Sequence, residues 1–206
     1  RISQRMHASD NRVEAERAEF ALDLARRGAR VAVVSSGDPG VFAMAAAVAE
    51  VAAESRWQDV PVRVVPGMTA ATAVAATVGA PLGHDFAIIS LSDRLKPWEV
   101  IERRIRAAVD ADLVIAIYNP GSASRAWQVG ALKEILAEQV SPDRVVIVGR
   151  DVGGPDESVT VTTVGDPVCA SPPISSAMRC ASAMRVCTIS ASGTVLITSP
   201  LTKICP

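Results

Sequence analysis

Short apolar runs alternate along the chain with longer segments whose apolar residues recur at helical spacing. The runs predict buried strands, and the helical spacing predicts amphipathic or buried helices. This alternation indicates an α/β protein with mostly parallel sheets. The predicted strands are residues 31–34, 62–65, 86–91, 113–117 and 144–148, and the predicted helices are residues 13–24, 41–51, 98–109 and 124–139, with a further helix opening at Thr69.

Two later segments refine this outline. Residues 158–164 alternate threonine with valine, which predicts a half-buried antiparallel strand. Residues 79–83 combine glycine and proline, so we expect a domain boundary there. The predicted organisation is an N-terminal α/β domain over 1–82, a second α/β domain over 83–166 and a tail over 167–206. Strand ends facing each other across the boundary would form a ligand cleft.

The loop after the first predicted strand has the composition of a ligand loop. Gly37 allows close backbone approach, Asp38 could cap the following helix, and Pro39 suits the first helical position. Such a helix N-terminus favours an anionic group such as a carboxylate. An ordinary capped turn fits the same residues. The loop is neither a Walker loop nor a Gly-x-Gly-x-x-Gly motif.

Composition narrows the function classes. The net charge is −1, with 49% hydrophobic and 21% charged residues, and nothing indicates nucleic-acid binding. No apolar run reaches the ~18 residues of a membrane span, and no signal peptide opens the chain, so we expect a cytoplasmic location and no membrane partner. The four cysteines all lie within 169–206, at spacings that fit no zinc pattern, so no metal site is predicted.

Several separated motifs, taken together, resemble the tetrapyrrole methylases. These are S-adenosylmethionine-dependent methyltransferases that modify corrin and sirohaem precursors. The loops at 36–39 and 66–70 mark the superfamily. More specific is a resemblance to the branch that methylates C17 of precorrin-3B, carried by residues 83–93, 97–104, 118–120 and 159–165.

The resemblance implies a fold, an activity and a donor site. The methyl donor S-adenosylmethionine would lie between two α/β domains, and its methyl group would go to C17 of precorrin-3B, with ring contraction to precorrin-4. It also implies a homodimer for the intact family member. The donor-binding positions implied by the resemblance are Ser36, Gly37, Asp38, Val41, Thr69, Ala70, Tyr118, Asn119 and Val152.

Substrate and catalytic candidates follow from the chemistry of that reaction. A tetrapyrrole carries many carboxylates, which need cationic groups and which forked arginine contacts suit best. Arg94, Lys96, Arg125 and Arg150 lie at or just after the relevant loops. Solvated surface charges are the alternative for each of them. Ring contraction needs proton transfers, for which His84, Asp85, Asp93 and Asp38 are candidates by position. His84 also fits a plain linker, and Asp38 better fits a structural cap and donor-site residue.

The sequence departs from the family's pattern at both ends. The family opens with a strand and a glycine-rich loop that precede the first residue here, so we expect the first strand to be missing. Residues 169–206 contain no Asp or Glu, whereas 1–168 hold all 22, and we interpret this tail as a shifted reading frame or similar artefact. Within it, residues 194–198 could pair as an edge strand. Three alternatives stay open: another tetrapyrrole methylase, a non-catalytic fragment that binds neither donor nor substrate, and, least favoured, a nucleotide-binding module.

Overall fold

The computed structural model of the chain describes residues 14–94, 96–120 and 127–166, together with the backbone of 194–197. Arg125, the four cysteines and most of the predicted tail lie outside the described residues. The described chain forms two compact units, and the division falls after Met68. The predicted boundary at 79–83 lies further on, inside the second unit. The reason is that Val74, in the helix before 79–83, is buried in the core of the second unit.

The described part of the first unit contains two α-helices, as predicted. Helix α1 spans Glu14–Arg26 and helix α2 spans Met44–Ala52, and a short 3₁₀ turn follows at Ser55–Trp57. Gly28 has a φ of 89°, the left-handed conformation that commonly ends a helix. The helices bury their facing apolar residues in one cluster that includes Ala18, Leu22, Met44, Val48, Val51, Trp57 and Val60.

The two strands predicted for the first unit are absent from it. Residues 31–34 and 62–65 are not part of any described ladder, and several of their valines are exposed, including Val34 at 60% and Val65 at 67%. The prediction of buried strands was therefore wrong. An apolar run becomes a strand only when a neighbour satisfies its backbone groups, and no described strand lies beside these runs.

The second unit confirms the remaining predicted elements. The bounds of these helices and strands agree with the predicted bounds to within a few residues. Helices α3, α4 and α5 span Ala70–Thr77, Trp98–Asp110 and Trp127–Gln139, and strands β1 to β5 span Phe86–Ser90, Val114–Tyr118, Val145–Arg150, Ser158–Thr163 and Thr194–Ile197.

The five strands form one sheet in the order β1-β2-β5-β3-β4. Strands β1 and β2 are parallel, and β4 is antiparallel to β3 as its alternation predicts. Strand β5 is antiparallel to both β2 and β3. The α/β class is confirmed, but the expectation of a mostly parallel arrangement is wrong for this sheet. The expected edge position of 194–198 is also wrong, because β5 lies between β2 and β3.

Helices cover both faces of this sheet. Alternate residues of β2 divide between two cores, as the period of a strand requires. Ile115 and Ile117 pack with α4 and α5, whereas Ala116 packs with Val74 of α3. Apolar contact on both faces explains why β2 is a continuous apolar run in the sequence.

Candidate functional site

In the first unit, Asp38 ties two glycine-containing loops together. Its Oδ1 accepts a hydrogen bond from the Gly40 backbone N–H at 2.8 Å, and its Oδ2 accepts one from the Gly67 N–H at 3.0 Å. The bonds from Gly67 and then Gly40 lower the pKa of the Asp38 carboxyl. A methyl group at Gly67 would overlap the Gly37 carbonyl oxygen, so the backbones approach as closely as glycine permits.

Helix α2 begins later than the loop composition predicts. Phe42 has a φ of 51°, which interrupts any helix between Val41 and Met44. The expected roles of Asp38 as helix cap and Pro39 as first helical residue are therefore wrong. The Met44 N–H instead donates to the Ser35 hydroxyl at 3.3 Å. Of the other predicted donor residues in this unit, Ser36 is exposed and Val41 is half-buried.

In the second unit, three strands end at one level of the sheet. Ser90 of β1 pairs with Tyr118 of β2. Ile117 and Val148 both pair with residue 195 of β5, so Tyr118 lies level with Gly149 of β3. Strands β1, β2 and β3 run in the same direction, and their carboxyl ends therefore share one edge. Ligands of α/β proteins bind at such an edge.

Tyr118 links this edge to the start of helix α3. Its hydroxyl accepts a hydrogen bond from the Ala71 N–H at 2.7 Å and is hydrogen-bonded to the Thr69 hydroxyl. Thr69 has the extended backbone of a helix cap, but its side chain makes no capping bond. The predicted cap is therefore supplied by Tyr118, which satisfies a helix N–H that lacks an intrahelical partner.

A second polar contact holds the loop after β2. Asn119 has a φ of 50° and donates from Nδ2 to the Ser90 hydroxyl at 3.0 Å. The same hydroxyl accepts a bond from the Ser92 N–H at 3.2 Å. Ser90 is buried, and sequence reasoning missed its role, because a serine at the end of a strand carries no signal of its partners.

Asp93 lies in the loop after β1, where it contacts a buried amide. Gln128 in the first turn of α5 is 1% exposed, and its Nε2 donates to Asp93 Oδ2 at 3.3 Å. Among the described residues, the Gln128 Oε1 atom has no hydrogen-bond partner. Nothing in the sequence around Gln128 indicates this contact, since its burial depends on how α5 packs against the loop.

His84 and Asp85 lie at the other end of β1. Both are exposed and precede the strand, so all five residues of β1 separate them from the Ser90 edge. At roughly 3.3 Å per residue this distance is about 17 Å. The structure therefore does not bring them together with Asp93, Thr69 or Tyr118.

The two predicted arginines that the structure describes lie at the carboxyl edge of the sheet. Arg94 is exposed in the loop after β1, and half-buried Arg150 ends β3. Val152 is buried in the α3 core cluster, so its side chain is committed to packing and only its backbone could reach a ligand. Among the described residues, no group of three metal-binding side chains is found, and no helix is long and apolar enough to cross a membrane.

Small polar loops at the carboxyl ends of the strands are typical of α/β proteins that bind a small molecule at that edge. The sequence model described as Tetrapyrrole (Corrin/Porphyrin) Methylases matches residues 2–168, and the chain belongs to this family. The resemblance identified from the motifs is confirmed, as is the fold class.

Named relatives narrow the comparison. The chain is 58% identical over 170 residues to the cobalamin biosynthesis protein CobIJ of Mycobacterium bovis. The aligned region covers 81% of the chain and 33% of that protein. It is 53% identical over 161 residues to the precorrin-3B C(17)-methyltransferase of Sinorhizobium, covering 77% of the chain and 63% of that protein. The chain thus spans between a third and two thirds of these relatives.

A solved structure supports the same family assignment as these relatives. The crystal structure of the methyltransferase CobJ matches with a TM-score of 0.83 and 41% identity. The match covers 98% of the chain and 80% of that structure. This likeness supports the family assignment by sequence and by fold together.

Proposed function

We propose that the chain carries out S-adenosylmethionine-dependent methyl transfer to C17 of precorrin-3B, with ring contraction to precorrin-4, in cobalamin biosynthesis. One observation supports this proposal most directly. The resemblance assigns Thr69, Tyr118 and Asn119 to the donor site, and these residues lie together at one sheet edge of the second unit. The Sinorhizobium relative bears the corresponding name.

The residues at this edge fit a donor that is bound mainly through backbone groups. Ala70 is small and buried beside the Tyr118 contact, and the left-handed backbone of Asn119 turns the chain directly after β2. In the first unit, both oxygens of Asp38 already accept backbone N–H bonds, so its role is to order the loop around Gly37. S-adenosylmethionine, when bound, supplies the methyl group from a sulfonium centre. The proposed donor set is Ser36, Gly37, Asp38, Val41, Thr69, Ala70, Tyr118, Asn119 and Val152.

The chain's own contribution to methyl transfer is alignment. A displacement at carbon gains most from holding the two reactants in line, and ring contraction adds a need for proton transfer. Among the catalytic candidates, Asp93 lies at the carboxyl edge, so we assign proton transfer to Asp93. We leave His84 and Asp85 out of this role because they lie at the opposite edge. Arg94, Arg125 and Arg150 are proposed to contact substrate carboxylates.

Calorimetric titration of the 206-residue chain with S-adenosylhomocysteine tests the donor site. We expect micromolar binding, and about tenfold weaker binding for Asn119→Gly, which removes the amide but keeps a residue suited to the left-handed backbone. Asp112→Gly is the matched control, since Asp112 also has a left-handed backbone and lies before β2, at the other edge. Absence of binding by the unmodified chain would refute the donor assignment.

Two further parts of the proposal concern assembly and location. We infer a homodimer for the intact enzyme from the family resemblance, and we also propose a cytoplasmic site of action. Sedimentation velocity over a range of concentrations tests the first, with a monomer throughout as the contradicting outcome. Fractionation of producing cells tests the second.

A further inference from the structure

Two tryptophans lie side by side next to the carboxyl edge of the second unit. Trp98 is the first residue of α4, and Trp127 is the first residue of α5. Their ring centroids are 4.9 Å apart at an interplanar angle of 68°, an edge-to-face pair. Trp98 packs against the core, whereas Trp127 is 50% exposed. The pair thus presents a large aromatic side chain to solvent with a partner beneath it.

A buried contact fixes the position of this pair. The Gln128 amide donates to Asp93, so the first turn of α5 is attached to the loop that leads from β1 to α4. Gln128 is almost completely buried, and it is the residue next to Trp127. Because both tryptophans begin helices that this contact joins, their mutual geometry is set before any ligand arrives. Preorganised aromatic groups bind with little loss of conformational entropy.

Two cations lie near one another in the segment that contains Trp98. Lys96 is two residues before Trp98, and Arg104 lies on the same helix as Trp98. Burial lowers the pKa of Lys96, and the nearby charge of Arg104 lowers it further. Within the part of the chain that the structure describes, neither side chain forms an ion pair with a carboxylate. An anionic ligand would relieve their mutual repulsion.

We propose that Trp98, Trp127, Lys96 and Arg104 form a surface that binds a flat conjugated ring bearing carboxylate side chains, here the tetrapyrrole substrate. The exposed indole contacts the face of the ring, and the two cations contact its carboxylates. This inference rests on the proposed function and adds the residues that position the substrate. A nucleic acid, whose bases are also flat and whose phosphates are also anionic, is less favoured, because the chain has a net charge of −1.

Tryptophan fluorescence of the full chain tests the proposal directly. The probe is uroporphyrin III, a stable porphyrin with eight carboxylates that quenches nearby tryptophans. We expect saturable quenching and about tenfold weaker binding for Trp127→Ala and for the double variant Lys96→Gln/Arg104→Gln. Binding by the double variant should also depend less on salt. Arg103→Gln is the matched control, because Arg103 is exposed on the same helix and the proposal gives it no role.

The outcomes separate this inference from the proposed function. Unchanged porphyrin affinity in Trp127→Ala and in the double variant, or no saturable binding by the unmodified chain, would overturn it. Displacement of the porphyrin by a single-stranded oligonucleotide would overturn it in favour of nucleic acid. The affinity of the same variants for S-adenosylhomocysteine, measured by calorimetry, should equal that of the unmodified chain. Failure of the unmodified chain to bind S-adenosylhomocysteine would instead count against the proposed function.

Discussion

Asp38 shows how a single carboxylate can order a loop without acting as an acid or base. Two backbone N–H groups bond to its charged form and hold its pKa below the ordinary value. A lowered folded-state pKa means that the stabilisation is present above the unfolded pKa and is lost as the pH falls through the folded one. The contribution of Asp38 should therefore be intact at neutral pH and disappear only in acid.

Urea unfolding of the chain from neutral to acidic pH checks this expectation. Asp38→Asn should lower the midpoint at neutral pH, because an amide can accept only one of the two N–H bonds. The difference from the unmodified chain should shrink as the pH falls. Asp59→Asn is the control, since Asp59 is exposed in the same unit. A difference that grows in acid would contradict the role given to Asp38.

Gly67 is required for steric reasons. Its backbone lies against the Gly37 carbonyl, and a methyl group there would have no room. We expect Gly67→Ala to destabilise the chain by about 1–3 kcal/mol and to weaken S-adenosylhomocysteine binding. Gly130→Ala is the control, because Gly130 lies within α5 with nothing near its added methyl group, and it should stabilise by about 1 kcal/mol. Equal stability of Gly67→Ala and the unmodified chain would show that the two loops separate in solution.

At the scale of elements, Tyr118 connects a strand end to a helix start. Tyr118→Phe keeps the ring but removes the hydroxyl that accepts from the Ala71 N–H. We expect a loss of about 1 kcal/mol in unfolding free energy, the usual cost of a lost helix cap. A double-mutant cycle with Thr69→Ala measures the coupling between the two hydroxyls. Additive effects would contradict a direct contact.

Elements with strong local patterns could be predicted from the sequence, and those that depend on partners could not. Helix α4 and strand β2 appear within two residues of their predicted bounds, because periodicity and apolar runs report burial locally. Residues 31–34 have the same apolar character as β2, yet form no strand, since pairing depends on other segments.

The residues of the candidate site also divide into those that local sequence patterns predict and those that depend on other elements. Tyr118 and Asn119 could be placed at a strand end because a strand end is a local feature. The burial of Gln128 and the separation of His84 from the carboxyl edge could not be foreseen, because both depend on the packing and direction of other elements. The central position of β5 likewise follows from two pairings that no local pattern specifies.

At the scale of the molecule, exposed apolar side chains are concentrated in the first unit. Among the described residues of this unit, eight large apolar side chains are exposed: Phe20, Val31, Val34, Phe42, Val62, Val64, Val65 and Met68. Only Phe86, Trp127 and Val161 are comparably exposed among the described residues of the second unit. Apolar groups exposed at such density favour association with other apolar surfaces. We therefore expect the chain to bind hydrophobic dyes through its first unit.

The double variant Val34→Lys/Val64→Lys tests this expectation. Because both valines are already more than half exposed, the substitutions should change the free energy of unfolding by no more than about 0.5 kcal/mol per site. Dye fluorescence and concentration-dependent light scattering should both fall. Val161→Lys provides the matched control, since Val161 is 51% exposed on β4 of the second unit and its replacement should leave dye binding unchanged. A loss of several kcal/mol in the double variant would instead mean that the two valines are buried in solution, and that 31–34 and 62–65 are covered there.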